Sequence, residues 1–121
     1  MRSARLSFQG VIKVLSQGIT FRWGVQDLSS PASLQAIVHG QVQGVFFRAF
    51  VSQKAAELGL TGYVRNLSSG REVEVRAEGE RDKLDRLVDH LKAGPPNAKV
   101  ERVSTNWSRY TGRFSGFEIK Y

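Results

Sequence analysis

The sequence predicts an α+β sandwich in which an antiparallel sheet carries two helices on one face, in the order βαββαβ. Three observations predict it. Apolar residues recur at steps of three and four in two stretches, 47–58 and 84–91, which is helical spacing. Short apolar or alternating runs lie before, between and after these stretches and read as strands. Glycine or proline stands at the changes of pattern, where a chain must turn. At 121 residues and 40% hydrophobic the chain has the size of one domain, since about 100–150 residues is the commonest length for a single core.

The elements follow in order. SLQAIVHG, residues 33–40, is an apolar run closed by glycine and predicts the first strand. Phe47, Phe50, Val51, Ala55 and Leu58 mark one helical face, and Gly59 stops it. GYVRNL, from Gly62, has strand composition. Ser68-Ser69-Gly70 turns it back into REVEVRAEG, where Val73, Val75 and Ala77 alternate with charged residues, so the pair predicts a hairpin with one buried face. Leu84, Leu87, Val88 and Leu91 predict a second helix that Gly94-Pro95-Pro96 ends. AKVERVSTNWSRY reads as the next strand and FEIKY as a short closing one, with Phe117, Ile119 and Tyr121 on a shared face. The order is that of the ferredoxin-like βαββαβ sandwich, about 88 residues long.

Residues 1–33 stand apart. They contain one acid, Asp27, against Arg2, Arg5, Lys13 and Arg22, and they close in Ser29-Ser30-Pro31-Ala32. They are expected to be a flexible amino-terminal extension, with a transit peptide or a leader as alternatives, and residues 34–121 to be the folded domain. The chain carries +7, of which the extension holds +3, so the domain holds a mild +4. Cysteine is absent, which excludes a disulfide framework, a thiolate metal site and a cysteinyl nucleophile. No apolar run approaches the roughly 20 residues of a membrane helix. A monomeric cytoplasmic protein that needs no metal or cofactor is the expectation.

The stretch GQVQGVFFRAFV, residues 40–51, joins the first strand to the first helix. A turn rich in glycine directs backbone N–H groups into one concavity, and the free N–H groups of a helix's first turn add to it, so the place suits an anion. Arg48 stands where its planar fork reaches that anion from the side. The spacing alone leaves another reading open, in which Gly40 and Gly44 only serve a sharp turn and Arg48 is a solvated helix residue. Asn66, two residues before Ser68-Ser69-Gly70, is by spacing alone a turn residue.

The full string Gly40-Gln41-Val42-Gln43-Gly44-Val45-Phe46-Phe47-Arg48 resembles the acylphosphatase signature G-x-V-Q-G-V-x-F-R. GYVRNLSSGREVEVRAEG, residues 62–79, resembles the family's second block, with Asn66 at the position of its second catalytic residue; the likeness extends over residues 34–121. The resemblance implies hydrolysis of acyl phosphates to a carboxylate and inorganic phosphate. It implies that the loop Gln43, Gly44, Val45, Phe46, Phe47 and Arg48 binds the phosphoryl group, that Arg48 neutralises it, and that the Asn66 carbonyl orients the attacking water. The expected partners are then a small acyl phosphate and inorganic phosphate, with neither nucleic acid nor membrane.

Other sites fare worse. His39 and His90 are the only histidines, and neither has a second ligand at i+3 or i+4. His39 reads as a strand-end residue beside the loop and His90 as a solvated helix residue. A non-catalytic phosphate-binding module is one alternative, and single-stranded RNA binding is another. The latter would place stacking aromatics on the first and third strands of such a sheet. LQAIVHG and REVEVRAEG carry none.

Overall fold

The computed structural model describes residues 30–121. Seven elements follow one another: β1 (Pro31–Gln41), α1 (Phe47–Glu57), β2 (Thr61–Asn66), β3 (Glu72–Glu80), α2 (Arg81–Ala93), β4 (Lys99–Arg109) and β5 (Phe117–Lys120). They form the expected βαββαβ arrangement with one closing strand. The sheet has the order β4-β1-β3-β2-β5. Its first four strands are antiparallel, and β5 joins the edge at β2 in parallel, Gly62 opposite Phe117 and Val64 opposite Ile119.

Side-chain alternation makes the sheet two-faced. Leu34, Ala36 and Val38 of β1, Val64 of β2, and Val73, Val75 and Ala77 of β3 point to one side and are buried. Phe47, Val51 and Ala55 of α1 and Leu84, Leu87 and Leu91 of α2 cover them, four and then three or four residues apart as a helix requires. Each large apolar side chain buried there is worth about 1.5–3 kcal/mol relative to exposure. Tyr121, expected to share a face with Phe117 and Ile119, is exposed beyond the end of β5, while Phe117 and Ile119 pack against the core.

β1 starts at Pro31, so Pro31 and Ala32, read from the sequence as the end of the extension, are strand residues and precede Ser33, where the strand was expected to begin. Ala32 lies opposite Gly79 on one side and Arg109 on the other, and proline is tolerated as the first residue of a strand. Ser30 is an exposed bend before β1, and residues 1–29 of the expected extension lie outside the described residues.

The open face of the sheet is polar. Glu74, buried at its centre, accepts hydrogen bonds from Gln35 Nε2 (2.8 Å), Arg65 Nε (2.6 Å) and the Tyr63 hydroxyl (3.4 Å). Burial alone would raise its pKa, but the bonds from Gln35 and Arg65 outweigh burial and hold the carboxyl below its ordinary value. Burial and the neighbouring carboxylate push the Tyr63 phenol up. Glu78 is buried too, and burial again pushes against donors that win: the Thr111 hydroxyl and N–H and the Gly112 N–H lower its pKa. These bonds pin the connection that carries the chain from β4 at one edge to β5 at the other. Glu72, Glu74, Arg76 and Glu78 lie on this side of central strand β3, and the face carries no aromatic residue on β1 or β3.

Candidate active site

Residues 42–46 connect β1 to α1 and bend sharply. Gly40 is buried where β1 bulges against β4, and a Cβ there would run into the Lys99 carbonyl. Gly44 has φ +74° with open space around its Cα, so its role is conformational rather than steric. Phe46 follows at φ 60° and ψ 26°, the only non-glycine among the described residues with positive φ. For a residue with a Cβ that conformation costs about 1–2 kcal/mol.

Phe46 is also the N-cap of α1. The first helical bond runs from the Phe50 N–H to the Phe46 carbonyl at 3.0 Å, so the N–H groups of Phe47, Arg48 and Ala49 have no partner within the helix. No side chain caps this end, and the first turn holds no acid. An anion placed here would meet the positive end of the helix and its free N–H groups.

These groups border a cavity of about 290 Å³. The loop and helix contribute Gly44, Phe46, Phe47, Arg48 and Ala49, and the end of β2 contributes Asn66. Ile119 of β5 and Tyr121 close the third side. Arg48 and Asn66 thus meet across one cavity although 18 residues separate them in sequence. The Arg48 guanidinium lies 4.6 Å from the centre of the Tyr121 ring and donates from Nη1 to the Lys120 carbonyl at 3.4 Å, so the residues from β5 onward hold it. Asn66 is the last residue of β2 rather than a turn residue. Its Oδ1 is buried and accepts no hydrogen bond among the described residues.

Of the residues singled out from the sequence, Gly44, Phe46, Phe47, Arg48 and Asn66 line the cavity; Gln43 and Val45 belong to the loop without lining it. The Gln43 side chain turns away and donates from Nε2 to the Leu67 carbonyl at 2.8 Å and the Glu72 carbonyl at 2.9 Å. The loop is thereby tied to the β2–β3 turn that follows Asn66. Ile119 and Tyr121 were not singled out as site residues, because parallel pairing of β5 with β2, which carries them to the cavity, leaves no local signal.

The histidines lie elsewhere. His39 Nδ1 meets Glu72 Oε2 at 3.0 Å in a separate cleft with Arg71, Glu101 and Arg102. His90, expected to be solvated, is half-buried with its ring edge-on to Phe50 at 6.3 Å. Among the described residues no group of three or more His, Cys, Asp or Glu side chains is placed to hold a metal, and no helix is long and apolar enough to cross a membrane.

Known proteins resemble the chain in sequence and fold. The acylphosphatase family model matches residues 34–119. An acylphosphatase of Dehalococcoides mccartyi is 51% identical over 88 residues, 73% of this chain and 97% of that protein. The crystal structure of acylphosphatase from Bacillus subtilis superposes with a TM-score of 0.71 at 39% identity, covering 74% of this chain and 99% of that one. An acylphosphatase structure from Coxiella burnetii gives a TM-score of 0.71 at 41% identity, covering 79% and 99%.

Proposed function

The chain belongs to the acylphosphatase family and is an enzyme that hydrolyses acyl phosphates, and on that premise we propose how its residues divide the work. The phosphoryl group sits at the amino-terminal end of α1. Its oxygens accept hydrogen bonds from the loop N–H groups between Gly44 and Ala49, and Arg48 closes over them with two charge-assisted bonds. Asn66 orients the attacking water. For that, its amide oxygen faces the cavity, which a half-turn about the Cβ–Cγ bond achieves without breaking any bond to Oδ1.

The chemistry asks for little more. The leaving group is a carboxylate whose conjugate acid has a pKa of about 4 by analogy with Asp and Glu, so it departs as an anion without a general acid. Phosphoryl transfer passes through a loose transition state in which positioning and charge stabilisation dominate. A cup of amides, one guanidinium and one carboxamide therefore serves the anhydride without a cofactor. An alkyl phosphate ester, whose alkoxide wants a proton, is a poor substrate for the same groups.

A single observation carries this reading: Arg48, Asn66 and the free N–H end of α1 share one cavity. The substrate is a small acyl phosphate and the product inorganic phosphate; that the protein is a cytoplasmic monomer with neither nucleic acid nor membrane as partner is part of the proposal and does not follow from the site. The test sets hydrolysis of benzoyl phosphate beside that of p-nitrophenyl phosphate, with and without EDTA. Rapid, EDTA-insensitive turnover of benzoyl phosphate alone is expected. Comparable turnover of the ester, or loss of activity in EDTA, would refute the division of roles.

A further inference from the structure

The end of the domain away from the catalytic cavity carries a second concavity. Leu58 follows the carboxy-terminal end of α1, and with Pro31 and Tyr110 it walls an open cleft of about 500 Å³ whose rim carries Glu80 and Lys83. Tyr110 is 44% exposed. Of the three exposed large hydrophobic side chains among the described residues, it is the one that does not border the catalytic cavity. A group that covered this ring and cleft would remove apolar surface from water.

The chain itself brings such a group to the rim. The Ser30 carbonyl accepts a hydrogen bond from the Arg81 N–H at 3.1 Å, so the backbone just before Pro31 is fastened to the start of α2. Asp82 follows Arg81, and its Oδ1 is buried and accepts no hydrogen bond among the described residues. A buried oxygen calls for a donor, and the hydroxyl and N–H of Ser29 lie one residue from the fastened carbonyl. Next come Leu28 and Asp27, the latter the one acid of residues 1–33. Lys83 at the rim makes no ion pair among the described residues. Trp23 lies seven residues before Ser30, within a span of about 25 Å at most. A dry apolar cavity of roughly 150 Å³ holds benzene, so the cleft has room for an indole ring and a leucine side chain. The family match begins at residue 34, so these residues are an addition to the shared domain.

We propose that residues 23–29 fold back over this end of the domain, with Trp23 and Leu28 in the cleft beside Tyr110, Asp27 next to Lys83, and Ser29 donating to Asp82. The occupant is the chain's own segment, because its attachment at Arg81 keeps it beside the cleft whatever the protein concentration. The surface is thus an intramolecular docking site, separate from the catalytic cavity.

The test uses the full chain. Trp107→Phe leaves Trp23 as the one tryptophan, and its emission is expected to be blue-shifted and less quenched by acrylamide than in the urea-unfolded chain. Trp23→Ala should lower the folded-to-unfolded ratio about tenfold, the effect of withdrawing roughly 55 Å² of apolar surface from the cleft. Tyr110→Ala should couple to it, costing at least about threefold less in the Trp23→Ala background than in the parent. A water-exposed emission with no loss of stability in Trp23→Ala would make the segment a free tail and overturn the proposal. A loss without coupling to Tyr110 would place Trp23 elsewhere and overturn it too. So would a loss that depends on protein concentration, which would seat the segment on a second copy.

Discussion

Gln43 and Leu67 are joined by a hydrogen bond of 2.8 Å from the side-chain amide of one to the backbone carbonyl of the other. The bond couples the two halves of the active site. Gln43 belongs to the loop, directly before the amides proposed to face the phosphoryl group, and Leu67 directly follows Asn66. A second bond from the same nitrogen to the Glu72 carbonyl, at 2.9 Å, fixes the other side of the β2–β3 turn.

Gln43→Met keeps the length of the side chain and removes the donors. It should lower stability by about 1–2 kcal/mol for the lost bonds. Its distinctive effect should be kinetic: kcat falls between about 10- and 100-fold through misplacement of Asn66 against the loop. Inhibition by inorganic phosphate, which needs only the loop and Arg48, should change by less than about twofold. Denaturant unfolding and steady-state kinetics check both parts, and equal losses in kcat and phosphate affinity would mean that Gln43 acts on the loop alone.

Arg48→Gln removes the charge that closes the cup while leaving an amide of similar reach. The expected loss in kcat/KM is about a thousandfold or more, the scale at which a transition-state guanidinium acts on phosphoryl transfer. Phosphate inhibition should weaken at least tenfold, since hydrogen bonds to a charged group are worth about 1.5–3 kcal/mol. A variant still inhibited like its parent would assign Arg48 to packing on Tyr121.

Asn66→Ala is expected to separate turnover from binding. kcat should drop by about 100- to 1,000-fold, the usual result of removing one oriented polar group from a transition state. The inhibition constant for phosphate should stay within about twofold of the parent value. If affinity for phosphate vanished along with turnover, Asn66 would be a phosphate ligand instead of a water-orienting group.

The pH response should divide activity from stability. No group in the proposed mechanism titrates near neutrality, so kcat should be flat between about pH 5 and 8, and a bell centred near about 6.5 would implicate a histidine. Stability behaves differently. Glu74 and Glu78 have folded-state pKa values below the ordinary carboxylate value, so the unfolded chain binds more protons as the medium turns acid. Their contribution is complete above the ordinary value of about 4.3 and is lost as pH falls through it toward the lower folded-state values. Glu74→Gln should therefore lower stability at pH 7 and flatten the acid limb of a plot of unfolding free energy against pH. An acid limb as steep as the parent's would contradict this.

Much of the fold was legible because its periods are clean. Val73, Val75 and Ala77 alternate against charged neighbours, and Leu84, Leu87 and Leu91 repeat at helical steps, so both the hairpin and α2 declare themselves within a dozen residues. The loop at Gly44 and Arg48 stood out only through the resemblance of the whole string, since the spacing alone left a sharp turn and a solvated arginine as the other reading. What stayed hidden depends on distant pairing. Nothing near Phe117–Lys120 tells that this strand adds to β2 in parallel, because four residues carry no register of their own. For the same reason Ile119 and Tyr121 were not seen as cavity residues. The left-handed turn at Phe46 was invisible because phenylalanine rarely adopts it, and so were the bonds of the Gln43 side chain to the turn behind, because their acceptors lie 24 and 29 residues away.

The most direct test of the anion cup is a ¹⁵N–¹H NMR titration of the labelled protein with inorganic phosphate. The account predicts saturable shifts concentrated in the backbone amides from Gly44 to Ala49 and in the side-chain amide of Asn66. Shifts centred instead on the cleft of His39, Arg71 and Arg102, with those loop amides unmoved, would contradict it.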